Sequence, residues 1–223
     1  MTHESTLPDE LARLTDELSS EDETRAIQQG YLRYFRPGER VLDVGCGRGT
    51  FLDLLREAGI EGVGADSSAA AVSACRARGH EVLEVDAFEV PERWASEGEL
   101  FDGLVVSHLV EHLQPDRALL LLRCLSRVLR PGGRLLMVTP NPRSLIVLSE
   151  VFWLDPTHVR PYPRQLLERL GTKAGFRVRE SYDDPASVPR RRPLRRWVAR
   201  LRSFLSGADR SGPMDSIVLF EWP

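Results

Sequence analysis

The chain has 223 residues, 42% of them apolar and 28% charged, with a formal net charge of −3. That balance belongs to a globular protein of one domain, or one domain with additions, and offers nucleic acid no global attraction. It has no apolar run of 18 residues, no leader-like apolar stretch behind MTHESTLPDELARL, and no CxxC spacing among Cys46, Cys75 and Cys124. A membrane span, a secretory signal, a disulfide framework and a Cys-rich zinc site are excluded on these grounds, and a cytoplasmic protein is expected.

Leu7, Leu11, Leu14 and Leu18 fall at helical spacing, and Ser20 with Glu23 forms a capping-box pattern. The pattern predicts a second helix through Tyr31 and Phe35, ended by Pro37-Gly38, so that 1–37 is a helical unit ahead of a domain over 38–223. Arg40–Val44 reads as a first strand and Thr50–Ala58 as a helix. Gly62–Ala65 reads as a second strand ending at Asp66, followed by an Ala-rich helix over Ser68–Arg78. Glu81–Val85 is a third strand ending at Asp86, and Leu104–Ser107 a fourth. A long helix over Asp116–Leu129 stops at Arg130-Pro131-Gly132-Gly133, and Arg134–Thr139 is the fifth strand. Residues 141–175 are interrupted by prolines and form a loop followed by a helix, Pro163–Ala174, that Gly175 stops. Phe176–Tyr182 and Ser216–Trp222 read as the last two strands, on either side of a Pro- and Arg-rich insertion at 183–215. Strands spaced by helical runs imply βαβ units, a parallel sheet and helices on both faces.

The segment VLDVGCGRG, residues 41–49, places Gly45, Gly47 and Gly49 between a strand and a helix. Glycines there let the backbone turn tightly against a ligand, and the helix start offers free N–H groups. A dinucleotide fingerprint would need glycine at 50, where this chain has Thr50. Asp43, two residues before the first glycine, would repel a pyrophosphate but welcome a sulfonium and an α-amino group. Asp43, Asp66 and Asp86 each follow or end their own strand, and a parallel sheet brings all three to its carboxyl edge, where such folds bind ligands.

On these residues, together with LRPGGRLLMVTPN, the chain resembles a class I S-adenosylmethionine-dependent methyltransferase. The resemblance implies an α/β, Rossmann-like, seven-stranded and mostly parallel sheet whose last strand is antiparallel. It implies that Asp43, Gly45 and Gly47 surround the methionine part of the cofactor. Asp66, with Ser67 beside it, takes the ribose hydroxyls, an acceptor's task. Asp86, with Ala87 and Phe88, holds the adenine, and Ser107 and His108 pass under the methionine chain. A NAD-dependent oxidoreductase and a non-catalytic cofactor-binding module are the competing readings; Asp43 and Thr50 oppose the first.

Methyl transfer to a hydroxyl requires a positioned acceptor and a group to remove its proton. Glu111, His112 and His158 are the catalytic candidates. Glu111, His112, Asp155 and His158 together could hold Mg²⁺ or Mn²⁺, although mixed imidazole and carboxylate ligation suits these ions only moderately. The segment WLDPTHVRPYP, residues 153–163, resembles a stretch of methyltransferases associated with glycan and polysaccharide synthesis. It implies a sugar hydroxyl of a glycan or glycolipid precursor as acceptor, with a quinone or other small molecule as the alternative. The Asp/Asn-Pro-Pro-aromatic signature of base-amine methylation is absent after the fourth strand, where Ser107-His108-Leu109-Val110 stands.

Residues 189–205 carry seven arginines and no acid, with Leu194, Trp197, Val198, Leu201, Phe204 and Leu205 on one helical face. That face packs on the domain, or the segment lies on an anionic membrane surface; a third reading, an anionic-acceptor or nucleic-acid patch, has too little aromatic interleaving to press. The partners expected are a small-molecule or saccharide acceptor and no nucleic acid, with a homodimer left open.

Overall fold

The computed structural model describes residues 20–95, 98, 100–188 and 212–223. The helix expected from Leu7, Leu11, Leu14 and Leu18, and the basic face of 189–205, lie outside them. Among the described residues no helix is long and apolar enough to cross a membrane.

In chain order the elements are α1 (Glu21–Gln28), β1 (Arg40–Val44), α2 (Thr50–Glu57), β2 (Glu61–Asp66), α3 (Ala69–Ala77), β3 (Glu81–Glu84), α4 (Val90–Trp94), β4 (Phe101–Ser107), α5 (Pro115–Ser126), β5 (Leu129–Pro140), α6 (Leu145–Ser149), α7 (Arg164–Ala174), β6 (Arg177–Asp183) and β7 (Asp215–Glu221). Short 3₁₀ turns cover Gln29–Tyr34, Val110–His112, Val151–Leu154 and Pro185–Ser187. The seven strands form one sheet in the order β3-β2-β1-β4-β5-β7-β6. β7 pairs antiparallel with both β5 and β6, while β1 to β5 pair in parallel. This is the Rossmann-like arrangement the sequence implied, with its last strand reversed.

Alternation along the strands divides the core between the two faces. Leu42, Leu135, Met137, Val218 and Phe220 meet Leu121, Leu122 and Leu125 of α5 and Leu167 of α7 on one side. Val41, Leu136, Val138, Ile217 and Leu219 meet Phe51, Leu52 and Leu55 of α2 and Val72 of α3 on the other.

Several boundaries differ from the expected ones. Ser20 does cap α1, its hydroxyl accepting the Glu23 N–H at 3.3 Å. The helix then tightens into a 3₁₀ turn at Gln29 instead of continuing to Phe35. That geometry stacks residues three apart and buries both Tyr31 and Tyr34. β4 starts at Phe101, three residues early, because Phe101 pairs with Leu129 and Asp102 accepts the Arg40 N–H at 2.9 Å. The Arg130–Gly133 stretch lies inside β5 as a register irregularity, with Gly132 at φ 79° and its N–H on the Trp222 carbonyl at 2.8 Å. α4, α6 and the Val151–Leu154 turn were not foreseen, since four or five residues are too few to show a period.

Candidate functional site

β1 is flanked by β2 on one side and β4 on the other, so the carboxyl ends of these strands open onto a crevice. The loop leaving β1 is drawn toward β2 by the Gly45 and Cys46 N–H groups, which donate to the Ala65 carbonyl at 2.8 and 3.2 Å. Gly45 and Gly49 adopt φ of 76° and 82°. A side chain at Gly45 would start 2.9 Å from Leu109, and one at Gly49 would start 2.9 Å from the Cys75 sulfur. Both φ values lie in the left-handed region that favours glycine. Asp66 then clamps the loop: Oδ2 accepts the Gly47 N–H at 2.9 Å and Oδ1 the Ser68 N–H at 2.8 Å. Asp86 folds its own turn by accepting the Phe88 N–H at 2.9 Å. The Arg117 guanidinium covers the Phe88 ring at 3.8 Å.

These parts enclose a cleft of about 350 Å³, lined by Gly45, Asp66, Ser67, Asp86, Ala87, Phe88, His108 and His112 together with Leu109 and Leu113. Asp43, Gly47, Ser107, Glu111, Asp155 and His158 are not among the lining residues. Asp43 is 4% exposed, and burial with the nearby Asp66 carboxylate pushes its pKa up to about 7. A buried carboxylate so disfavoured gains from a cation beside it. Acceptor-only groups at the ends of β2 and beyond β3 suit a diol and an exocyclic amine. The residues present therefore fit S-adenosylmethionine.

The other wall comes from the turn after β4 and the loop after α6. His108 takes φ 52°, the sole positive value of a non-glycine among the described residues, at a cost of about 1–3 kcal/mol. This turns its ring between two carboxylates, Nδ1 lying 3.2 Å from Glu111 and Nε2 3.5 Å from Asp215 of β7. Desolvation opposes a charge on this half-exposed ring, but Asp215 and Glu111 outweigh it and raise the His108 pKa to about 9. The Asp215 carboxyl is itself raised to about 6, by burial more than His108 lowers it. Glu111 is fully buried; its other oxygen accepts from Thr139 at 3.2 Å, and its carbonyl accepts the Val159 N–H at 2.8 Å.

The rings of His112 and His158 lie 4.8 Å apart. His158 Nδ1 donates to the Phe152 carbonyl at 2.6 Å, which in the neutral ring leaves the lone pair on Nε2. That nitrogen is 3.6 Å from Asp155 Oδ2. The Thr157 hydroxyl donates to Asp155 Oδ1 at 2.5 Å and so accepts from His112 Nδ1 at 2.9 Å, which again leaves Nε2 as the basic atom. Asp155 thus backs both imidazoles, one directly and one through Thr157.

Of the four residues named for a metal, Glu111, His112 and His158 bring ligand atoms within 4.8 Å of one another. Asp155 stands outside that trio, engaged by Thr157 and facing His158. Glu111 ties the loop of Val159 and Arg160 through its carbonyl and faces His108 through its carboxylate. Sequence reasoning missed Asp215 and the Phe152 carbonyl. Nothing in the composition around Asp215 marks it, since its place beside His108 comes from the insertion of β7 next to β5.

A family model described as a methyltransferase domain matches residues 4–181. The chain is 29% identical to the crystal structure of a SAM-dependent methyltransferase from Archaeoglobus fulgidus, with a TM-score of 0.73, covering 91% of this chain and 95% of that one. It is 36% identical over 192 residues to an uncharacterized 37.1 kDa protein of transposon TN4556 from Streptomyces fradiae, covering 78% of this chain and 54% of the relative. It is also 36% identical over 115 residues to the ubiquinone biosynthesis O-methyltransferase of Hahella chejuensis, covering 49% of this chain and 48% of that protein. The chain spans about half the length of these curated relatives.

Proposed function

The chain belongs to the methyltransferase domain family of S-adenosylmethionine-dependent enzymes, and from that premise we propose that it methylates a hydroxyl of a small molecule. The observation that carries this reading is His112 on the cleft wall with His158 packed against it, each donating through Nδ1 and each keeping Nε2 for a proton. S-adenosylmethionine, when bound, supplies an electrophilic methyl group on a cationic sulfur. The carboxylates of Asp43, Asp66 and Asp86 hold its cationic, ribose and adenine parts. His158 takes the acceptor's proton on Nε2, and Asp155, 3.6 Å away, stabilises the imidazolium that forms. His112, steadied by Thr157, orients the hydroxyl from the other side.

A phenol gives up its proton to a neutral base far more readily than a sugar alcohol does. A phenolic or quinol-type hydroxyl is therefore our first acceptor, and the Hahella chejuensis relative supports it. The sugar hydroxyl is the second reading, supported by the resemblance carried by residues 153–163. In that reading a divalent ion on Glu111, His112 and His158 would lower the pKa of the hydroxyl. Two imidazoles and one carboxylate fit Mn²⁺ better than Mg²⁺, which prefers an all-oxygen set.

The test is transfer of labelled methyl from S-adenosylmethionine to a fractionated cell extract, with and without EDTA. Label in an apolar phenolic fraction that survives EDTA is expected; label in a saccharide fraction that EDTA abolishes favours the second reading. His158→Ala is expected to lower kcat about 10²–10⁴-fold with the affinity for S-adenosylhomocysteine kept. Unchanged turnover in His158→Ala and His112→Ala sinks the base role.

A further inference from the structure

A buried backbone carbonyl needs a donor as surely as an N–H needs an acceptor. In the loop after β1 the Cys46 carbonyl accepts the Gly49 N–H at 3.0 Å, and the Gly49 carbonyl accepts the Asp53 N–H at 3.0 Å. The two carbonyls between them go to side chains of another element. The fully buried Cys75 thiol of α3 donates to the Gly47 carbonyl at 3.1 Å. Arg78, at the C-cap of the same helix, donates through Nη1 to the Arg48 carbonyl at 3.2 Å. Neither Cys75 nor Arg78 lines the cleft. Cys46 is nearer in the chain, but its sulfur stays 4.0 Å from the Gly47 carbonyl. Burial pushes the Cys75 thiol up, so it keeps its proton and remains a donor.

Arg78 is itself held in place. Its Nη2 pairs with Asp53 of α2 and, at 2.9 Å, with Glu21 of α1. Asp53 is fixed in turn by His80 at 2.8 Å and Arg56 at 2.6 Å. Both carbonyl anchors are therefore rigid.

The consequence for the cleft runs through Gly47. Glycine has the widest choice of φ and ψ, so it keeps one conformation only where both of its sides are tied. Its N–H is tied to Asp66 at 2.9 Å and its carbonyl to Cys75 at 3.1 Å. Asp66 lines the cleft, and the Gly47 N–H sets the direction of its Oδ2. Losing the thiol frees ψ of Gly47 and loosens the N–H that orients the carboxylate.

We propose that Cys75 and Arg78 are positioning residues for the cofactor, holding the Gly47 and Arg48 carbonyls on the α3 side so that the Gly47 N–H keeps the Asp66 carboxylate turned to the ribose diol. The inference rests on the assignment of the ribose to Asp66 and adds two residues outside the cleft that set its affinity.

The full chain is titrated by calorimetry with S-adenosylhomocysteine and with its 2′,3′-dideoxyribose analogue. Cys75→Ala is expected to weaken S-adenosylhomocysteine about three- to tenfold, the worth of one hydrogen bond. The dideoxy analogue offers Asp66 no hydroxyl and is expected to lose less than about twofold. Cys75→Ser keeps a donor and is expected to match the parent on both ligands. Arg78→Met alters a partly exposed side chain and makes the same test should Cys75→Ala fail to fold; the same split between the ligands is expected. Equal losses on both ligands, or a loss that Cys75→Ser shares, overturn the proposal and leave the thiol a packing role. Parent-like affinity in Cys75→Ala and Arg78→Met overturns it too. Asp66→Asn checks the assignment beneath it and is expected to weaken S-adenosylhomocysteine more than the dideoxy analogue. If Asp66→Asn treats the two ligands alike, the ribose assignment fails and takes the proposal with it. If it separates them while Cys75→Ala and Arg78→Met do not, only the positioning role fails.

Discussion

Asp43 shows how one buried carboxylate can couple ligand binding to pH. Burial and Asp66 raise its pKa to about 7, above the usual carboxylate value near 4, so the protein without a cation beside Asp43 carries a proton there below about pH 7. A folded-state pKa above the unfolded one also means that stability falls as pH rises from about 4 to about 7. A cation bound beside the group favours its ionised form, and binding must then expel the proton. The affinity for S-adenosylmethionine is accordingly expected to weaken up to about tenfold per pH unit below pH 7 and to level off above it. Calorimetry from pH 5.5 to 8 checks this, and Asp43→Asn is expected to bind weakly with a flatter profile. A parent affinity indifferent to pH would contradict it.

At the scale of elements, the packing of α7 on β7 turns on Gly171. Alanine in a helix interior is usually better than glycine by about 1 kcal/mol. Here a Cβ would run into the fully buried ring of Phe220, and overpacking costs about 1–3 kcal/mol. Gly171→Ala is thus expected to destabilise the protein, and a rise in Tm would show that the ring can move aside. The same elements show what the sequence could and could not disclose. The strands through β5 are legible as short apolar runs, the first three closed by Gly45, Asp66 and Asp86, and the Gly45–Gly49 loop is legible because its backbone favours glycine. β4 reads as starting only at Leu104 because Asp102 and Gly103 interrupt its apolar run. The two histidines could be singled out by residue type, but not the hydrogen bonds that choose their basic nitrogens. Those depend on Phe152 and Asp155, brought in by turns too short to carry a period. Asp215 was illegible for a stronger reason: its partner His108 is 107 positions away and meets it only through sheet order.

For the whole molecule, β7 is the strand on which completion of the sheet depends. It lies between β5 and β6, and Val218 stands opposite both Met137 and Ser181. Proline at an interior strand position removes a ladder hydrogen bond and costs about 3 kcal/mol or more. Val218→Pro is expected to lower Tm by about 6–12 °C or to prevent cooperative unfolding, seen by calorimetry. A loss confined to a degree or two would mean that the β5 and β6 edges hold without it. Synthesis on the ribosome gives this topology a temporal meaning. β6 emerges before β7 and has no strand to pair with until β7 arrives, so a chain made only through β6 holds an open slot beside β5. Asp215 enters with the strand that fills the slot, and until then His108 lacks one of its two counter-charges. Formation of the sheet and arming of the site are therefore the same late event, and a chain that stalls early carries a cofactor loop without a finished active site.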